Sequence, residues 1–119
     1  MRLFADAQGE SHFEDRTAAM EPAAFAPPAP PLNVSLLGQG VDAFARGRSR
    51  AWGGERPHPS PARQVMCVLV GELEVKASDG TARTLRPGNL LLLEDTSGKG
   101  HSSRFLSEEV VLAAVRLSA

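Results

Sequence analysis

The sequence predicts an all-β fold, a small sandwich or barrel, on three observations. Turn signals recur at short intervals: GQG (38–40), ARGRS (45–49), GGERPHPSP (53–61), Gly71, SDG (78–80), RPG (86–88) and SGKG (97–100). Between them lie short runs rich in Val, Leu and Phe. One of these runs, ELEVK (72–76), alternates with a period of two, placing Leu73 and Val75 on one face and Glu72, Glu74 and Lys76 on the other.

Residues 1–20 mix charges with small apolar residues at weak periodicity. The stretch EPAAFAPPAPPLNVS (21–35) carries Pro22, Pro27, Pro28, Pro30 and Pro31. Proline removes backbone donors and fixes φ, so this arm is neither a helix interior nor a central strand. It is expected to be extended, with Phe25 and Leu32 available to bury against a barrel or a partner. QVMCVLV (64–70) is apolar at both parities after Gln64. ELEVK, the SDG turn and TARTLR form a predicted hairpin. LLLL (90–93) and VVLAAV (110–115) are again apolar on both faces. A one-layer sheet cannot bury both sides of three strands. The arm or a second subunit is therefore expected to cover their outer faces, which predicts a homodimer. The domain reading is an N-terminal strand-and-arm segment over 1–40 and a barrel over 41–119.

Composition narrows the function. The chain has 119 residues, 42% of them hydrophobic, and a net charge of −1 from 13 basic and 14 acidic residues. This points to one domain with one modest core. No basic excess is present to recruit phosphate backbones or acidic membranes. Five Phe, one Trp and no Tyr leave little for base stacking, so neither nucleic acid nor membrane is expected as a partner. The lone cysteine, Cys67, excludes an internal disulfide and a CxxC metal site. MRLFADAQGESHFEDR has early charges and no long apolar stretch, unlike a signal peptide. No window approaches the roughly 18 apolar residues that span a bilayer. A cytoplasmic location is expected.

The histidines are His12, His58 and His101. His12, in GESHFED, reads as a surface residue. His58 and His101 each sit at a loop–strand junction near glycines, where backbone can be held close to a ligand. Gln64 is followed by six residues and then Gly71; His58 and Ser60 precede it. PGN (87–89) opens a strand that runs through LLLL into the loop EDTSGKGH (94–101). From about Gln64 to Phe105 this pattern resembles the cupin superfamily, in which two motifs flank a short hairpin. The first motif carries two histidines one residue apart and then a glutamate six residues before a glycine. Here His58 falls on the first histidine position, Ser60 on the second, and Gln64 on the glutamate position. The second motif opens on a PGD-like turn and ends on a histidine, here His101 after a slightly longer loop. The whole chain is closer still to a group of small bacterial single-domain cupins that share APPAPPLNVS, HPxPxRQ and EDTxGKGH.

The resemblance implies a single cupin-type β-barrel (a double-stranded β-helix or jelly roll) with an extended Pro-rich N-terminal arm. It also implies a divalent metal ion (Zn, Fe, Ni or Mn) on His58, Gln64 and His101. Two neutral imidazoles and a neutral amide leave such an ion's charge uncompensated, so weaker binding than at a full cupin site is expected. Glu94 or Asp95 would supply a carboxylate if the loop folds back. Parity puts Met66, Val68 and Val70 on the Gln64 face, pointing inward, with Val65, Cys67 and Leu69 outward. It also puts His101, Ser103 and Phe105 on one face. The expected pocket is lined by Trp52, Ser60, Met66, Val68, Glu94, Ser103 and Phe105 and takes a small organic molecule. Isomerase, lyase, cyclase and oxygenase chemistry all fit the resemblance. A metal-free, non-catalytic ligand pocket is the alternative, and an interaction module using the dimer face and arm is a third. Cys67 reads as a buried structural thiol. Arg56, Arg63, Lys99 and Arg104 surround the site in sequence and could draw in an anion such as a carboxylate. GKG (98–100) lacks the spacing of a phosphate-binding P-loop.

Overall fold

The period-two patterns fold as strands throughout. The computed structural model describes residues 1–17, 19, 21–23, 32–34, 40–48 and 56–117. In chain order the strands are β1 (Arg2–Ala5), β2 (Ser11–Glu14), β3 (Glu21–Ala23), β4 (Leu32–Val34), β5 (Gly40–Arg48), β6 (Gln64–Val70), β7 (Leu73–Ala77), β8 (Ala82–Leu85), β9 (Leu90–Glu94), β10 (His101–Phe105) and β11 (Glu109–Leu117). No helix occurs among the described residues. None there is therefore long and apolar enough to cross a membrane.

A six-stranded sheet runs β2-β1-β9-β6-β11-β5 and a three-stranded sheet runs β10-β7-β8; β3 and β4 pair separately. The expected closed barrel is seen only as this coarser arrangement of sheets, with no ladder among the described residues joining β10 or β8 to the larger sheet. Most pairs are antiparallel. The exception is β1, which lies parallel to β9 with Leu3 opposite Leu93. The N-terminal strand is thus an interior member of the main sheet rather than a cover over it. Of the proline arm, β3 and β4 form a two-stranded ladder with Glu21 opposite Val34. Phe25 and the prolines from Pro27 to Pro31 lie outside the described residues.

One core fills the space between the sheets. Leu3, Met66, Val68, Leu91, Leu93, Val110 and Leu112 come from the larger sheet, and Leu73, Val75, Ala77, Leu85 and Phe105 from the smaller. Each fully buried leucine or valine contributes about 1.5–3 kcal/mol of transfer free energy. Leu73 and Val75 face inward, as their alternation predicts. In β9, Leu91 and Leu93 enter the core while Leu92 is buried on the other side; Leu90 is 54% exposed, so the run is covered on both faces only from its second residue.

Strand β6 keeps the expected parity as far as Val68 and then departs from it. Val70 does not point inward but is 51% exposed. The cause is a bulge: Val68 pairs with Leu112 but Val70 pairs with the preceding residue, Val111, so two steps on β6 match one on β11. Cys67, expected to be buried, is half-buried instead. The ladder there presents it beside Leu90 and Ala113 on the outer face.

Gly71 makes the turn after the bulge at φ +82°, and a Cβ there would meet the Glu109 carbonyl oxygen at 2.2 Å. Gly80 has φ +95° with nothing within 4 Å. Gly80→Ala is expected to cost about 1 kcal/mol of backbone strain. Gly71→Ala is expected to cost about 2–4 kcal/mol, because strain and clash combine. Urea midpoints of the two variants against wild type measure the difference.

Candidate functional site

The site is built by one antiparallel step. The His58 amide donates to the His101 carbonyl at 2.9 Å, and the His101 amide donates to the His58 carbonyl at 3.0 Å. This reciprocal exchange makes the two residues a hydrogen-bonded pair across an isolated bridge. Side chains of such a pair stand on the same face about 5 Å apart. The rings follow: their centroids are 4.9 Å apart and their planes meet at 61°, edge to face. On its other edge β10 pairs with β7, His101 opposite Ala77.

The close approach depends on Gly100. A Cβ there would lie 2.1 Å from the carbonyl carbon and oxygen of His58, and φ is +71°. Gly98, at φ +79°, packs against Gly9 in the same way, with a Cβ brought to 2.4 Å from the Gly9 carbonyl oxygen. The Lys99 amide donates to that carbonyl at 2.8 Å, and the Ser11 hydroxyl donates to the Gly100 carbonyl at 2.7 Å. The β1–β2 hairpin therefore braces the loop that returns His101.

Asp95 lies beneath the pair, with no exposed surface. Its Oδ2 is 2.6 Å from His101 Nδ1, and its Oδ1 accepts the Ser60 hydroxyl at 2.7 Å. The Ser60 amide donates to the Asp95 carbonyl at 3.0 Å. With the Asp95 carboxylate as acceptor, His101 Nδ1 is the donor, and its Nε2 is not engaged by Asp95. His58 Nδ1 faces the Pro59 carbonyl at 3.2 Å, which likewise assigns the proton to Nδ1 and leaves Nε2 available.

The other sequence-predicted residues fall as follows. Ser60 is buried, and its hydroxyl is spent on Asp95. Gln64 begins β6 opposite Leu93 and Arg116, half-buried, and no hydrogen bond described joins it to either histidine. Met66, Val68 and Phe105 are core residues, and Ser103 shares the buried face of His101 and Phe105. Glu94 points to the opposite face of β9 from Leu93 and is held by Arg2 and Arg63 rather than reaching the histidines. Burial pushes its pKa up, but the two guanidiniums outweigh this and hold it below the usual 4.5. Trp52 lies outside the described residues. Asp95, left open in the sequence, is the carboxylate that reaches a histidine. Neither the Gly9–Gly98 contact nor the Ser11 bond was foreseeable, because nothing local to residues 9–11 signals a partner near residue 100.

A cleft of about 540 Å³ opens beside His101, lined by Pro57, Lys76, Ser78, Lys99 and Ser102 among others. His12 bonds Asp6 through Nε2 and Asp79 through Nδ1, both at 2.8 Å. The Asp6 carboxylate, then that of Asp79, raises the His12 pKa above its ordinary 6.5. The bond from His12 lowers Asp6 below 3.8, and the Thr81 hydroxyl, with a smaller contribution from His12, lowers Asp79.

No protein-family model and no curated protein matches the chain.

Ser60→Ala removes one donor from a buried carboxylate and is expected to cost about 1–3 kcal/mol of stability, measured by denaturant unfolding. The His12 clamp gives a pH dependence of opposite sign on its two sides. Protonated His12 stabilises fully below 6.5, and this is lost as pH rises through its raised folded-state pKa. The aspartates stabilise above 3.8, and this is lost as pH falls. The unfolding-midpoint difference between wild type and His12→Gln should be largest near pH 5–6 and shrink by about pH 9.

Proposed function

We propose that the chain is a small cupin-type protein whose His58 and His101 hold a divalent metal ion at the mouth of a pocket for a small organic molecule. The observation that carries this reading is the pairing of the two imidazoles across one bridge, edge to face. Each has Nδ1 committed to an oxygen acceptor that does not engage Nε2, at a ring separation of 4.9 Å. A carboxylate behind a ligating histidine is the usual support of such a ligand, fixing its tautomer and raising its basicity. Asp95 occupies that position for His101. Its negative charge, one hydrogen bond from the ligand, offsets part of the charge that neutral donors leave uncompensated. The motif spacing from Gln64 to Gly71 and from PGN to His101 supports the cupin reading, and the two facing sheets are compatible with it. Gln64 is the remaining donor of the proposed set.

Bound there, the ion would polarise a substrate oxygen or activate water or O2, as isomerase, lyase, cyclase or oxygenase chemistry requires. The chain's own residues do the positioning. Ser60 fixes Asp95, Asp95 orients His101, and Met66 and Phe105 supply apolar packing beneath. A metal-free ligand pocket is favoured by a different observation: no group of three His, Cys, Asp or Glu side chains among the described residues is placed to hold an ion.

Elemental analysis of untagged protein, with calorimetric titration of Zn, Ni, Mn and Fe(II), separates the two. The expected result is one ion per chain, lost in His58→Ala and in His101→Ala, with affinity lowered about 10–100-fold in Asp95→Asn. Absence of binding by all four metals selects the metal-free reading. Binding that survives both histidine substitutions overturns the ligand assignment.

A further inference from the structure

We infer that the cleft beside His101 takes a small organic carboxylate, bound by the Lys76 ammonium. The inference rests on the pocket reading above but not on the metal. It starts from charge. The lysines lining the cleft are Lys76 and Lys99. Lys99 is already answered by Glu10, which holds its pKa above the ordinary lysine value. The nearby acids are answered in turn: Glu74 pairs with Arg104, and Asp6 and Asp79 share His12. Among the described residues Lys76 has no acidic partner.

Lys76 is placed for a ligand rather than for solvent alone. It stands on β7 directly opposite Ser102 of β10, so their side chains share one face at cross-strand distance, the outer face of the sheet rather than the buried face that His101 shares with Ser103 and Phe105. A second concavity of about 230 Å³ is lined by the same Lys76 and Ser102, together with Ser103 and the paired Glu74 and Arg104. The two hollows thus meet at an ammonium and a hydroxyl, one residue from His101 along the strand. Among the described residues the Ser102 hydroxyl has no side-chain partner. Of the four attractors the sequence suggested, Arg63 is held by Glu94, Arg104 by Glu74 and Lys99 by Glu10, while Arg56 is exposed and does not line the cleft. Lys76 therefore supplies the uncompensated charge.

The chemistry favours carboxylate over phosphate. Phosphate sites in loops are cradles of several free backbone amides. Here the Lys99 amide is given to Gly9 and the His101 amide to His58. What remains is a point charge beside a hydroxyl, enough for one charge-assisted bond and one neutral bond to a carboxylate.

The test uses the full chain at fixed ionic strength, following backbone amide shifts by NMR. Malonate is the probe, malonamide its uncharged counterpart, and inorganic phosphate the competing anion. Saturable malonate shifts at Lys76, Gly100 and Ser102 are expected, with none from malonamide and weaker ones from phosphate. Lys76→Met is expected to weaken malonate binding about tenfold, Lys76→Arg to retain it, and Arg83→Met on β8 to leave it unchanged. Metal uptake should be the same in Lys76→Met as in wild type, so failure of the metal reading leaves this result legible on its own. No saturable malonate shift, equal affinity in Lys76→Met, equal titration by malonamide, or tighter binding of phosphate would each overturn the inference.

Discussion

The reciprocal backbone pair between His58 and His101 is the constraint on which the rest of the site depends. Two hydrogen bonds of 2.9 and 3.0 Å set two imidazoles side by side although their residues lie far apart in the chain. The approach is possible only because residue 100 has no Cβ, and it is held by contacts that come from three directions. Ser60 and Asp95 lock the two segments together from below, the β1–β2 hairpin braces the loop from outside, and β7 supplies the ladder on the far edge of β10. Side-chain chemistry follows from this backbone geometry: once the pair is made, Asp95 has one nitrogen of His101 within reach.

Much of the sheet was legible in the sequence because a half-buried strand writes its faces into alternate residues. ELEVK shows this directly, and its Leu73 and Val75 are core residues. The limits are equally physical. Parity fails at Val70 because a bulge is a property of two strands together, and QVMCVLV alone carries no trace of its partner's register. The sheet position of β1 was illegible for the same reason: four residues of weak alternation gain their place beside β9 from Leu92, Leu93 and Glu94, some ninety residues on in the sequence.

For the site, residue type and spacing were enough to single out His58 and His101, which the structure brings together. They were not enough to choose between Glu94 and Asp95. These neighbours occupy opposite sides of the strand end, so one faces Arg2 and Arg63 and the other faces His101. The choice depends on which of the two continues the outward parity of Leu92, and that is fixed by pairing with β1 and β6 rather than by the loop itself. Ser60 likewise occupies the position where the resemblance expects a histidine, yet its hydroxyl serves the carboxylate instead of a ligand.

The parallel pairing of β1 with β9 also bears on how the molecule is made. During synthesis Leu3 leaves the ribosome long before its partner Leu93 exists, and a parallel neighbour cannot be supplied by a local hairpin. The hairpin of β1 and β2 can form early, but its inner edge stays open until β9 has been made. Closing so large a loop is entropically slow, and an uncovered strand edge invites pairing with other chains in the meantime.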